Sequence, residues 1–237
     1  MPSVAFRPRA YVRVSGPDAE DFLQRMVSND VSVAERCDAL LLTAKARIVA
    51  PLRIVRRATD DFLVLTEPEL GGLVREQFLR ARFAAKVEIE PEQHESWLVL
   101  GGDEVLDERP AGDEASEEES ERWRIESRTP RWGYELDESI LPAEAWLDET
   151  HISFSKGCYP GQEPIARQHF RGKVNRRLRV LDIAGDAAPG DELLLGEKPV
   201  GRITSTANGV ALGYVRVEVP DDAVLDAGAG HAKVRPA

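Results

Sequence analysis

Residues 156–163 read KGCYPGQE and hold one of only two cysteines in the chain. A thiol has a pKa of about 8.5 when free, and a neighbouring ammonium or helix N-terminus lowers it, making thiolate available as a nucleophile or metal ligand. Lys156 and the arginines downstream are candidates for that field around Cys158. Gly157 and Gly161 permit backbone shapes closed to other residues, and Pro160 stiffens the turn that presents Tyr159. Gln162 and Glu163 then place an amide and a carboxylate side by side, a pair suited to a heterocycle with a mixed donor and acceptor edge. The competing reading is a small buried hydrophobe beside a tight turn. Cys37, in VAERCDALLL, is assigned that plainer role.

The charge around this segment is uneven. From Asp103 to Glu121 there are ten acids against one arginine, whereas from Lys156 to Arg179 there are seven cations against the single acid Glu163. The acidic run reads as solvated surface. The basic run, Arg167, Arg171, Lys173, Arg176, Arg177 and Arg179, reads either as a solvated face or as the seat of an anionic ligand. A net charge of −11 disfavours direct nucleic-acid binding through the bulk field. The four histidines have no ligand-like spacing, so no metal site is expected, and neither a GxGxxG nor a GxxxxGK[ST] fingerprint occurs. No apolar run is long enough to span a bilayer and MPSVAFRPRA lacks a secretory core, so no membrane partner and a cytoplasmic location are expected. Two lone cysteines suggest no disulfide framework.

The elements that must position these residues are legible from periodicity. Ala10–Val14 alternates as a strand, and SGPDAEDFLQRMVSNDV reads as a helix with Phe22, Leu23, Met26 and Val27 on one face and Ser15 or Asp18 as its cap. Residues 39–55 give two β runs around a short basic turn, and residues 61–65 a third. A helix over residues 70–83 follows, then strands at 87–89 and 97–100. Ser116 and Glu119 fit a capping box that starts a helix running toward Arg128. From about residue 172 short β runs alternate with turns, and Asn208-Gly209 signals a type I′ hairpin. Helices alternating with antiparallel strands predict an α+β fold followed by a small antiparallel barrel or sandwich.

At KGCYPGQE the chain resembles the K-G-C-[FY]-x-G-Q-E signature of the YgfZ-type folate-binding proteins, relatives of the glycine-cleavage aminomethyltransferases and of mitochondrial iron–sulfur assembly factors. VSGPDAEDFLQRMVSNDV is similar to the family's opening helix and T-N-D turn, TAKARIVAPLRIV to its K-G-R-[IV] strand pair, RWRIESRTPRWGYEL to its R-x-E-x-G-x-P segment, and RGKVNRRLRVL to the lead into its barrel. The resemblance implies two interwoven antiparallel α+β units within residues 1–171, roughly 1–45 with 106–171 and 46–105, and a β-barrel over residues 172–237. It also implies a central hole that binds tetrahydrofolate, with iron–sulfur client or assembly proteins as partners, among them enzymes that thiolate tRNA. Carried over, Glu126 is the folate-contacting acid, Asn29 and Asp30 form the T-N-D turn, Lys156, Cys158, Tyr159, Gln162 and Glu163 belong to the signature, and Arg167 is the arginine that follows it.

Three departures stand out. Ala46 and Arg128 occupy positions where the family carries glycine. The stretch Ala46–Pro51 also lacks the carboxylate that aminomethyl transfer requires. The resemblance therefore implies a tetrahydrofolate-binding accessory protein of iron–sulfur metabolism that uses Cys158. The alternatives are a folate-dependent one-carbon transferase, and an RNA- or protein-binding module with a structural cysteine.

Overall fold

A computed structural model describes residues 2–236. Five antiparallel strands, β2 (Ala10–Ser15), β3 (Arg36–Leu42), β4 (Ile48–Ala58), β5 (Asp61–Thr66) and β6 (Glu88–Glu92), form one sheet in the order β3-β4-β5-β2-β6. The alternation in β4 is strict over residues 48–54, so its odd and even residues face opposite layers. Helices α1 (Ala19–Met26) and α2 (Gly71–Ala81) cover one face, with Phe22, Leu23, Val74 and Phe78 packed on Val14, Leu52, Ile54, Phe62 and Val64. Phe22 and Phe78 meet edge to face at 5.7 Å. The central strand β5 is buried on both faces, which explains why DFLVLT reads as a continuous apolar run.

Asp18 occupies the position before α1, but its side chain makes no cap; the carboxylate accepts from the Lys86 backbone amide at 2.8 Å and fastens the approach to β6 instead. A second sheet, ordered β8-β7-β1-β9, is built from chain on either side of the first: β1 (Ser3–Phe6), β7 (Ser96–Val99), β8 (Glu104–Leu106) and β9 (Asp113–Glu114). Helix α3 (Glu117–Glu126) starts where the Ser116 hydroxyl accepts from the Glu119 amide at 3.1 Å. The Glu119 carboxylate is taken by Ser3, so only half of the expected capping box forms.

Six strands close the C-terminal barrel: β10 (Arg176–Ala184), β11 (Glu192–Leu195), β12 (Lys198–Ala207), β13 (Val210–Arg216), β14 (Val224–Ala227) and β15 (Gly230–Val234). Asn208 and Gly209 both have positive φ, 45° and 81°, and join β12 to β13 as expected of a type I′ turn. The basic segment before the barrel is a helix, α4 (Gln162–Arg171), an element that the sequence pattern does not announce. The fold is thus α+β with a closed β-barrel appended.

One apolar cluster joins the parts. Leu40, Leu42 and Ile48 of the first sheet, Ile125 of α3, Leu147, Ile152, Tyr159 and Ile165, and Leu178, Leu212 and Tyr214 of the barrel pack together. Each such side chain contributes about 1.5–3 kcal/mol on full burial, so this junction holds the three units in place around the space between them. Glu135 adds a polar tie, with Arg124 Nη1 and Ser205 Oγ donating to its fully buried carboxylate at 2.8 and 2.6 Å, and Tyr214 Oη donating to its backbone carbonyl at 2.8 Å.

Candidate functional site

The face of the first sheet turned away from α1 and α2 borders a central cavity of about 470 Å³. Its walls come from the two sheets, α3 and the segment before the signature loop: Asp38 of β3, Arg53 of β4, Arg7 and Arg9 between β1 and β2, Glu126 at the end of α3, and Trp146, Glu149 and His151. Arg128 and Trp146 close one side. Arg128 has φ 55° and Trp146 φ 62°, both left-handed. The guanidinium of Arg128 lies 4.9 Å over the Trp146 ring, and Arg177 lies 3.8 Å over it.

Beneath the cavity floor the charges are tightly paired. Arg53 grips Asp38 bidentately at 2.7 and 2.9 Å and donates to Glu104 at 2.8 Å; Arg9 grips Glu104 bidentately at 2.9 and 3.0 Å. The Glu104 side chain is 1% exposed. Burial alone would raise its pKa, but the hydrogen bonds and charge of Arg9 and the charge of Arg7 outweigh it and hold the carboxyl at about 2. Arg7 is the cation left over: its guanidinium comes no nearer than 3.9 Å to Glu104, and burial, then Arg9, lower it to about 10. Asp38 is also held low: burial would raise it, and Arg53 overrides that, so it stays ionised and occupied. Burial depresses His151, with Arg53 assisting and Asp38 opposing, so a neutral imidazole faces the cavity.

The signature loop is organised by Lys156. Its ammonium donates to the backbone carbonyls of Val27 and Asn29 at 2.9 and 2.6 Å, stitching the loop onto the turn after α1. Burial lowers it to about 8, with Asp30 and Cys37 opposing. The cation expected to activate Cys158 is therefore directed elsewhere, because a half-buried ammonium is satisfied by two carbonyls rather than by an exposed thiol. Gly161 (φ 86°) lets the loop pass Thr43 so closely that a Cβ there would sit 2.7 Å from the Thr43 carbonyl oxygen.

The remaining residues singled out by sequence fall into two groups. Glu126 alone lines the central cavity, where Arg122 Nη2 donates to it at 3.0 Å and Arg235 Nη2 lies 3.7 Å away. The others do not line it. Asn29 binds the carbonyls of Asp38 and Thr150 at 2.7 and 3.0 Å, and Asp30 accepts from Gln24 and Ser32, with the Ser32 hydroxyl as the main cause of its lowered pKa. Cys158 is exposed. Tyr159 is 7% exposed in the junction core, its hydroxyl without a hydrogen-bond partner and pushed by burial to about 12. Gln162 reaches the Lys156 carbonyl only at 3.5 Å, and Glu163 and Arg167 pair with each other at 3.2 Å on the exposed side of α4. The expectation that the thiol faces the folate-sized opening is not what the structure places there. Cys37 is half-buried and pushed by burial to about 11, in keeping with an inert role.

Sequence reasoning missed Arg7, Arg9, Asp38, Arg53, Glu104 and His151. For Arg53 the available signal was a charged residue among alternating apolar ones, as in APLRIV; Arg7, Arg9 and His151 lie outside the strands and carry no such pattern.

Residues 175–237 match the family described as the CAF17 C-terminal β-barrel domain. The mouse mitochondrial iron–sulfur cluster assembly factor IBA57 is 26% identical over 88% of this chain and 72% of its own. The Klebsiella pneumoniae tRNA-modifying protein YgfZ is 27% identical over 78% of this chain and 73% of its own. A putative chloroplastic transferase of Arabidopsis thaliana is 34% identical over 40% of this chain, a match that spans only 23% of that longer protein. In structure, the glycine cleavage aminomethyltransferase T of Bartonella henselae superposes with a TM-score of 0.82 over 99% of this chain and 85% of its own, at 14% identity, which establishes the shared fold. Residues 175–237 thus form a barrel of the CAF17 C-terminal type, and the chain as a whole is similar to IBA57- and YgfZ-type proteins and shares the aminomethyltransferase fold.

Proposed function

We propose that the protein binds a reduced folate in its central cavity and serves as an accessory factor in the assembly or repair of iron–sulfur enzymes, including ones that modify tRNA. The observation that carries the folate reading is the chemistry of the cavity wall. A volume of about 470 Å³ lies within the range of small-ligand sites, and the wall offers a carboxylate at Glu126 and the edge of the Trp146 indole, whose ring Arg177 and Arg128 overlie. It also holds an unused donor, since Arg128 Nε is buried there without a partner. A pterin presents adjacent N–H donors that a carboxylate accepts in pairs, an aromatic ring to lie beside the indole edge, and acceptors for the guanidinium. Glu126, Trp146 and Arg128 are the residues that would hold it, with Arg7 as the cation for an anionic end.

Aminomethyl transfer is disfavoured by the same wall. The cavity carboxylate Asp38 is held ionised and bidentately engaged by Arg53, which keeps it from exchanging a proton with a bound substrate. The names of the iron–sulfur assembly and tRNA-modifying relatives support the accessory role, and the exposed Cys158, outside the cavity, is accessible to a partner protein. Cys158→Ala is expected to lower the activity of cluster-dependent enzymes in cells while tetrahydrofolate binding and thermal stability stay at wild-type values. Full cluster-enzyme activity in that variant would overturn the role given to the thiol without touching the folate reading.

A further inference from the structure

A second cavity, of about 720 Å³, lies between α4 and the barrel, separated from the central one by the segment that carries Trp146 and Glu149. It combines three features. Phe154 and His169 stack at 3.9 Å with 27° between their planes on its wall, and Phe170, 72% exposed, meets His169 edge-on at 4.9 Å. Lys173 and Arg177 also line it. Among the described residues no carboxylate lies within 4.0 Å of Arg171, Lys173 or Arg177, although most other arginines of this acidic chain are paired. Lastly, Asp148 lines the cavity with its Oδ1 buried and without a hydrogen-bond partner.

A ligand that satisfies all three must have a flat ring, an anionic end and an edge of hydrogen-bond donors. An acidic peptide meets the cations but brings a second negative charge to Asp148. A nucleotide meets all of them, and guanine meets them best because its N1–H and N2–H stand side by side, where a single carboxylate accepts from both. We propose that this cavity is a guanine-nucleotide site, with the base extending the Phe154–His169 stack on its outer face, its donor edge on Asp148, and its phosphate on Lys173 and Arg177. The nucleotide is either free or one residue of a single RNA strand, whose neighbouring phosphates would run along Arg167 and Arg171 of α4.

The test is a calorimetric titration of the full chain with GMP, with UMP, and with a guanine-containing single-stranded RNA hexamer, at two salt concentrations. GMP is expected to bind one to one and to be preferred over UMP. Lys173→Ala, at an exposed position that leaves the fold intact, is expected to weaken GMP about tenfold, and Asp148→Asn to erase the preference over UMP, each loss in the range of one charge-assisted contact. A hexamer that binds more tightly than GMP, with an affinity that falls steeply with salt, makes the strand the source; a hexamer no tighter than GMP makes it the free nucleotide. Absence of GMP and RNA binding at millimolar concentrations overturns the proposal, as does binding unchanged in both variants. Competitive displacement of GMP by tetrahydrofolate overturns it too, and gives the cavity to the pterin. The proposal does not rest on folate occupying the central cavity: Glu126→Gln is expected to leave GMP binding unaltered, so the two readings fail separately.

Discussion

Arg9 and Arg53 at the floor of the central cavity share the Glu104 carboxylate in a setting almost closed to water, with Arg9 7% and Glu104 1% exposed. Arg171 at the end of α4 and Lys173 just beyond it are exposed, Arg177 on β10 is half-buried, and among the described residues no carboxylate lies within 4.0 Å of any of the three. The two regions carry similar positive charge, but it has opposite consequences. In the first, Arg9 and Arg53 have their counter-charge within the protein, so the group fixes geometry: it locks β3, β4 and β8 together and leaves Arg7, 3.9 Å from Glu104, for a ligand. In the second, the counter-charge must come from outside. Charge density alone therefore does not mark a binding site; whether the charge is already satisfied does.

This contrast can be broken most forcefully at Glu104. Removing one partner of a buried pair strands the rest, so Glu104→Gln is expected to cost about 3–5 kcal/mol in denaturant unfolding, while Arg171→Ala stays within about 0.5 kcal/mol. The pH dependence follows from the lowered pKa. The carboxyl is ionised in the folded protein down to about 2, so its contribution is complete above its ordinary pKa of about 4.3 and fades as pH falls toward 2. The gap between Glu104→Gln and wild type should accordingly narrow through that window. A gap constant with pH would mean that the pairing does not stabilise the fold.

Backbone strain gives a smaller effect at the two positions where glycine was expected. Ala46 and Arg128 both adopt left-handed φ, 61° and 55°, so the chain keeps the glycine conformation without the glycine. Arg128→Gly should raise stability by about 1 kcal/mol while weakening folate binding, because it removes a guanidinium from the cavity wall. Ala46→Gly should be close to neutral, since relief of about 1 kcal/mol is offset by loss of a buried methyl group worth about 0.8 kcal/mol. Thermal melts of the two variants separate these outcomes.

The smallest effect concerns His94, which bridges Glu92 and Asp107 at 2.8 Å each on the rim of the first sheet. Burial would lower its pKa, but hydrogen bonds to both carboxylates raise it. Its stabilisation is fully present below the ordinary value of about 6.5 and is lost as pH rises through the raised one. His94→Gln is expected to reduce stability at pH 6 and to converge on wild type in alkaline buffer, read as the difference between two melting curves.

Most strands of the first sheet and the first two helices were legible because their apolar residues recur at regular spacing, and Asn208-Gly209 named its hairpin outright, whereas β1, β8 and β9 gave no such pattern. Helix α4 was not, because QEPIARQHFR buries only Ile165 and carries a proline in its first turn, so its pattern reads as charge rather than as a face. The barrel strand β14, VLDA, is too short and too interrupted to announce itself. The signature was legible as a motif but not in its role. Nothing local tells that the Lys156 ammonium reaches back 127 residues to the Asn29 carbonyl, or that Arg9 meets Glu104 across 95 residues. Such partners are set by how distant loops and strands are brought together in the fold, which a local pattern does not reveal.

The most direct test of the folate reading is a titration of tetrahydrofolate against wild type and Glu126→Gln, followed by the change in tryptophan fluorescence as ligand covers Trp146. The account predicts saturable one-to-one binding that weakens at least tenfold in the variant while its melting temperature is unchanged. Equal affinity in the two proteins, or no saturation in either, would contradict it.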